Sequence, residues 1–352
     1  MYSREIKKTL ESVLKRGVPQ FGTYATPPRV IDVHTLKQPY NLMPLPRFIT
    51  NKRIRGNIEY FFSTDTYIGT IDILDSNWFC FTETNFWEHA TGKKLSYRCF
   101  LPLRHIVPHH LDNSVCVTFR KNRYFRMSWD HIKKTFSFVF HFENDAARPE
   151  VAGVFNSSSD EDWGLLTSIT PYPLKNRCSV AHVSAMPIKG SISTSTTKNS
   201  PSASDAGGMG LFSMRWSFCS HRTKDYSLTG FGDWNGKRVV FKIYTTSQDP
   251  INTSIYNENV LFVDGEATPL PPIRITQPKG ILGTWVVQDI ESMVDLAFHP
   301  ISDTKRTVSA LIMHTEYHTM FGKCDGNIRT KEGYEIPLKK FFVIAKKHTL
   351  RL

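Results

Sequence analysis

The chain has 352 residues, with 44 lysines and arginines against 32 aspartates and glutamates, a net charge of +12. Hydrophobic residues make up 40% and aromatics 12%, enough for a sizeable core, and the length favours about two domains over one. No uninterrupted apolar run of about 18 residues occurs, which excludes a transmembrane helix, while the charge suits an anionic partner (RNA or a membrane surface) or plain solvation.

Residues 3–16, SREIKKTLESVLKR, place Ile6, Leu10, Val13 and Leu14 on one helical face and stop at Gly17. The pattern predicts a short N-terminal helix with a basic outer face. It reads as a mitochondrial presequence or as a docked surface helix, and Glu5 and Glu11 argue for the second, because presequences are poor in acids. Residues 18–56, rich in proline and basic side chains, predict an irregular wrapping segment, so that 1–50 stand apart as helix and wrap.

From Ile58 the pattern turns to short strand-like runs. In TFSFVFHFEN, Phe136, Phe138, Phe140 and Phe142 alternate with Ser137, Val139 and His141, a period of two with one wholly aromatic face. A first barrel is expected over 51–189. The stretch 190–210, GSISTSTTKNSPSASDAGGMG, is low in complexity and reads as a flexible loop. Strands resume over 211–352, punctuated by Asn-Gly, Asp-Gly and Glu-Gly turns. The fold class is all-β, mainly antiparallel, with two barrels or sandwiches.

Six cysteines (Cys80, Cys99, Cys116, Cys178, Cys219 and Cys324) include no Cys-x-x-Cys pair. They are expected as free thiols in a reducing compartment. Two formal sequons, at Asn156 and Asn252, follow no signal peptide and are not assigned, so the expected location is intracellular, cytoplasmic or mitochondrial. No phosphate-binding loop, dinucleotide fingerprint, nucleophile elbow or His-Glu-x-x-His motif is present.

Five segments, RGNIEYFFSTDTYIGTIDILD, AMPIKGSI, RWSFCS, NENVLFVDG and EYHTMFGKCDGNIRTKEGYEIPL, occur in this order over roughly residues 50–352. The chain resembles the family catalogued as domain of unknown function 2804. The resemblance implies a lipocalin-like pair of β-barrels, distantly similar to carotenoid 1,2-hydratase-type proteins and fungal lipocalin-like cyclases. Before the Arg-Trp pair the family carries an Asp-Trp-Gly-Arg-Gly type run. Here it reads Asp205-Ala206-Gly207-Gly208-Met209-Gly210, so the Trp and Arg are missing and any activity that needs them is expected to be lost.

Candidate site residues fall into three groups. Glu258 and Asp205 are the acid–base candidates, with Glu258 and Asn259 read alternatively as a turn cap. Arg215, with Trp216 as an apolar wall, suits a ligand head, or else a barrel-closing packing pair; Tyr317 and His318 join Arg215, Trp216, Glu258 and Asn259 as ligand contacts. Arg120, Lys121, Arg123 and Arg126 interleave with Tyr124, Phe125 and Trp129, as single-stranded nucleic acid or a phosphate-rich surface would require, or as a solvated hairpin face would show. A second basic cluster gathers Lys339, Lys340, Lys346 and Lys347. His314, Glu316 and His318 share a strand face but at ~7 Å steps along it, too far apart for one ion, so no metal and no cofactor is assigned. The expected function is binding of one small apolar or amphipathic, lipid- or isoprenoid-like ligand inside a barrel. The alternatives are a hydratase- or cyclase-like enzyme and a structural or RNA-associated platform.

Overall fold

Strand alternation dictates the architecture. In the computed structural model, which describes residues 2–351 except 9, 41, 42, 44, 77, 78, 103, 119, 158–161, 173, 196–201, 219, 311 and 312, strands account for 64% of the chain. They form two curled, antiparallel, half-barrel sheets of lipocalin-like type. The first runs in the order Lys94–Pro102, Phe79–Glu88, Tyr67–Asp75, Ile54–Thr64, Ser202–Phe218, Leu174–Ser195, Glu150–Ser157, Thr135–Phe142, Arg123–Asp130, Asn113–Val117. The second runs Glu266–Pro269, Val260–Val263, Lys237–Thr246, Arg222–Trp234, Glu335–Arg351, Met313–Arg329, Val294–Ala310, Trp285–Gln288, Arg274–Thr276.

The aromatic face expected over 136–142 lines the hollow of the first sheet, and it fills it. Phe138 and Phe140 are fully buried and stack with ring centroids 5.1 Å apart. Tyr60 closes on Phe136 at 4.8 Å, Phe62 on Phe155 at 5.0 Å and Phe86 on Phe140 at 5.4 Å. The second hollow is packed by Leu228, Phe241, Trp285, Phe298, Met320 and Val343, all buried.

A third apolar cluster joins the sheets back to back. Phe61, Ile68, Trp87, Leu166 and Leu211 of the first meet Phe231, Val240, Val260, Phe262, Phe321 and Ile344 of the second. Strands such as Ile54–Thr64 are therefore buried on both faces, with Ile58, Tyr60 and Phe62 in the hollow and Phe61 towards the other sheet.

Turn chemistry follows the sequence closely. Asn235 and Gly236 both have positive φ (52° and 75°), as do Asp264 and Gly265 (46° and 82°), the two-residue turn that matches strand twist. Near the end of the chain, Gly326 (φ 131°) sits where the register slips between Cys324 and Gly326, a bulge that only a residue without Cβ accommodates. Gly322 answers a different need: a Cβ there would lie 2.2 Å from the His299 carbonyl oxygen.

Two expectations are corrected. The described residues of 3–16 form no helix; among the described residues the one short α-helix is Arg47–Thr50. Instead Ile6–Lys7 pairs with Thr23–Tyr24 and Leu14–Lys15 with Val18–Pro19, around a turn in which Arg16 and Gly17 have φ of 52° and 79°. Gly17 is thus a hairpin glycine rather than a helix stop. Leu10 and Val13 are buried anchors on the first core, and tertiary packing overrides helix propensity. The stretch 190–210 is mostly strand, not loop. Leu174–Ser195 and Ser202–Phe218 pair continuously from Thr194↔Ser202 to Ser179↔Ser217; residues 196–201 lie outside the described residues. Ser202–Phe218 belongs to the first sheet, so the chain passes to the second between Phe218 and Arg222.

If the first hollow is filled as described, Phe138→Ala leaves a large cavity and lowers unfolding stability by about 3–5 kcal/mol in urea or guanidinium titrations. A loss below about 1 kcal/mol would mean an open lumen.

Candidate functional site

The back-to-back interface changes character along its length. On Ile54–Thr64, Phe61 gives way to Glu59, Asn57 and Arg55; on Tyr67–Asp75, Ile68 gives way to Asp72; on Glu335–Arg351, Ile344 gives way to Lys346 and His348; on Met313–Arg329, Phe321 gives way to Thr319 and Tyr317. Each pair keeps the same strand parity, so the polar side chains lie on the same inter-sheet face as the apolar ones. They line a cleft of about 160 Å³.

The charges in this cleft are paired across the sheets. Lys346 donates to Glu59 at 2.9 Å and also to Asp72. Lys242 donates to the other Glu59 oxygen at 3.0 Å and to Ser213 at 2.6 Å. Arg306 bonds Glu83 at 3.0 Å, whose second oxygen accepts from Arg98 at 2.6 Å. Cation–ring contacts add to the pairs: Arg306 lies 4.0 Å from the Tyr317 ring centre and 4.1 Å from that of Phe81, and Lys346 4.3 Å from that of Phe61. Tyr317 in turn stacks on His348 at 4.0 Å.

Two carboxyls share these lysines unequally. Burial opposes ionisation of Glu59, but Lys346 and Lys242 together outweigh it and hold its pKa well below the usual range. Burial raises the pKa of Asp72 despite Lys346, and the neighbouring Glu59 charge raises it further. With one lysine against Glu59's two, Asp72 is the carboxyl that takes up a proton first. Its side chain is 23% exposed and lines the cleft.

The residues singled out in the sequence separate into distinct places. Arg215 reaches the cleft wall, bonds Glu258 at 2.5 Å and lies 3.7 Å from the Tyr244 ring centre. Burial alone would lower its pKa; the Glu258 charge and Tyr244 hold it raised. Glu258 is therefore an ion-pair partner, away from the main cleft. Asn259 faces backbone: its amide oxygen accepts from Tyr244 N at 2.8 Å and its amide nitrogen donates to Pro271 O at 2.9 Å. Trp216 leaves its strand on the face opposite Arg215 and stacks on His109 at 4.4 Å, so it is no wall of this cleft. Tyr317 and His318 both line it; His318 bonds Asp303 at 2.7 Å and Glu316 at 2.9 Å. Glu316 and His318 lean together further than strand spacing suggests, but His314 bonds Ser309 instead, and the three do not converge.

Asp205 lies on the backbone opposite Ser191; its side chain is outside the described residues. At Gly208, where the family-type run has Arg, a Cβ would lie 2.0 Å from the Ser63 carbonyl oxygen. Among the basic candidates, Arg120, Lys121 and Arg126 are exposed, but Arg123 bonds Asp145 at 2.8 Å and the Glu143 carbonyl at 2.8 Å. In the second cluster Lys346 belongs to the cleft, and only Lys339 and Lys340 are exposed. Among the described residues, Cys80, Cys99, Cys116, Cys178 and Cys324 are buried free thiols, and no helix is long and apolar enough to cross a membrane.

Sequence reasoning missed Glu59, Asp72, Glu83, Lys242 and Arg306. For Lys242 and Asp72 the signal is a lone charge inside an apolar run, in VVFKIY and TIDIL. Such a charge looks solvent-facing until a second sheet covers it.

The chain belongs to the family described as a domain of unknown function (DUF2804), whose model matches residues 3–352. Among solved structures it is similar to a putative AttH from Nitrosomonas europaea, at 9% identity over 88% of this chain and 98% of that one, with a TM-score of 0.50. CghA with Sch210972 aligns at 10% identity over 84% and 88%, with a TM-score of 0.49. Kievitone hydratase from Nectria haematococca aligns at 8% identity over 94% and 97%, with a TM-score of 0.42. At such identities the likeness to the AttH protein speaks for the fold alone. No curated protein matches the sequence.

Removing Lys346 tests the electrostatics. Lys346→Met strands a buried carboxylate and is expected to cost about 3–5 kcal/mol at pH 8 in denaturant titrations. In the folded variant Asp72, its pKa raised further, holds a proton that the unfolded chain releases above about pH 4. Stability of the variant relative to wild type therefore recovers as pH falls from 8 to 5. A penalty independent of pH would show that Asp72 is not the group that titrates.

Proposed function

We propose that the chain binds one small amphipathic molecule in the cleft between its sheets. The observation that carries this reading is the cleft itself, a space of about 160 Å³ walled by Phe81, Tyr244 and Tyr317 on one side of its chemistry and by Glu59, Asp72, Arg306 and Lys346 on the other. At ~30 Å³ per water its room corresponds to roughly five waters, about the space of one small ring, which suits a ring-sized ligand and not a long acyl chain. The side chains packed in both barrel hollows support a ligand site between the sheets rather than inside a barrel. A purely apolar guest would desolvate the paired charges without replacing their water. An uncharged oxygenated head, hydroxyl or carbonyl, meets donors and acceptors alike, while a phenolic or short isoprenoid body lies against the rings.

A second reading, acid–base catalysis of hydratase type, is favoured by Asp72. A carboxyl kept partly protonated beside Lys346, on a cleft wall, is fitted to give and recover a proton. It takes over the role that the sequence offered to Glu258 and Asp205.

Calorimetry with small phenols and short terpenols is expected to give saturable binding to wild type that weakens about tenfold in Tyr317→Ala, through the lost ring wall. Binding confined to long-chain lipids, or unchanged by Tyr317→Ala, would remove the cleft reading. If a bound compound is also turned over, Asp72→Asn should lower kcat about 100-fold with little change in affinity.

A further inference from the structure

Outside the cleft, at the far face of the Arg215–Trp216 strand, two distant segments are clamped together. Ile31 N donates to His109 O at 2.8 Å and Leu111 N to Arg29 O at 2.9 Å, with Val30 and His110 forming an antiparallel bridge. The clamp is anchored by Ile31, Val33 and Leu111, all fully buried. It brings Asp32, His34 and His109 side by side, with one ligand-type atom of each within 4.8 Å of the others.

We propose that Asp32, His34 and His109 form a binding site for one divalent transition-metal ion, zinc being the first choice. Two imidazoles and a carboxylate are a common donor set for this ion, and ligand atoms on a tetrahedral zinc lie roughly 3.4 Å apart. Asp32 Oδ1 and His109 Nδ1 are 3.5 Å apart, and His34 Nδ1 already bonds the same carboxylate oxygen, so an ion takes the place of the shared proton. The site opens outwards: the side chains of Asp32, His34 and His109 are 25%, 26% and 45% exposed, which leaves a fourth position for water.

Supporting contacts fix the rings. Trp216 stacks on His109 at 4.4 Å and 21° and meets His34 edge-on at 5.2 Å. The tryptophan in turn needs Gly56, where a Cβ would lie 2.8 Å from its ring. Changing a partner that orients a metal ligand typically costs about 10- to 100-fold in affinity.

The test is titration calorimetry of zinc chloride into untagged, EDTA-treated and desalted protein. Wild type is expected to bind one zinc ion per chain, at least tenfold more weakly in Asp32→Asn and in His109→Gln. Trp216→Leu should fall in the 10- to 100-fold range typical of an orienting neighbour. His109→Gln changes a half-exposed side chain and should leave the fold intact, which the far-ultraviolet dichroism spectrum of each variant checks. Absence of zinc binding to wild type at 100 micromolar, on the order of a weak site, would overturn the proposal. So would binding that survives in folded Asp32→Asn and His109→Gln unchanged.

Discussion

Glu59 stands between Lys242 and Lys346, with its two oxygens taken by two lysines of the facing sheet. The placement follows from strand parity. Phe61, two residues on, packs into the apolar part of the same interface, so one strand contributes adhesion at one end and charge at the other. Paired charges of this kind rarely add much net stability, because desolvation consumes the Coulombic gain. What they contribute is alignment. A slip of either strand by one residue would turn Glu59 into an aromatic hollow and Tyr60 into the polar cleft.

The filled hollows and the open interface are two sides of one arrangement. A lipocalin-type sheet that kept its interior empty would carry its ligand inside and present an ordinary polar back. Here the phenylalanines of Thr135–Phe142, with Tyr60, Phe62 and Phe86, occupy the interior, and the backs of the sheets are covered by each other. The seam between them then holds a cleft, at the end where apolar side chains give way to charged ones. Any molecule held there touches both sheets, and its affinity responds to how they are set against each other.

The alternation of Phe136, Phe138, Phe140 and Phe142 and the Asn235-Gly236 and Asp264-Gly265 turns were legible in the sequence, because pleat and turn geometry are local properties. The family-type segments likewise announced a lipocalin-like β fold. The first residues were not legible: Ile6, Leu10, Val13 and Leu14 are spaced like a helical stripe, yet the same spacing suits separate anchors on a core that lies far away in sequence. Ser and Thr around position 190 looked like a linker, because composition does not reveal a pairing partner. The cleft was least visible. Arg215 and Tyr317, singled out in the sequence, line it, but Glu59, Asp72 and Lys346 look like ordinary solvent-facing strand residues until two sheets are laid together. Asp32, His34 and His109 were overlooked for a similar reason, since only a clamp between remote loops makes them neighbours.

Arg4 bonds the carbonyl of Asn257 at 2.6 Å and that of Asn259 at 3.1 Å, across 253 and 255 residues of chain. These carbonyls flank Glu258, the partner of Arg215. During synthesis the N-terminal part of the chain emerges first and starts to fold as a unit, but Arg4 must wait for most of the polypeptide before its guanidinium finds these acceptors. Closures over such separations are slow. This segment is therefore a late-fastening strap, and until the second sheet is made the back of the first, apolar at Phe61 and Trp87 and charged at Glu59, has nothing to cover it.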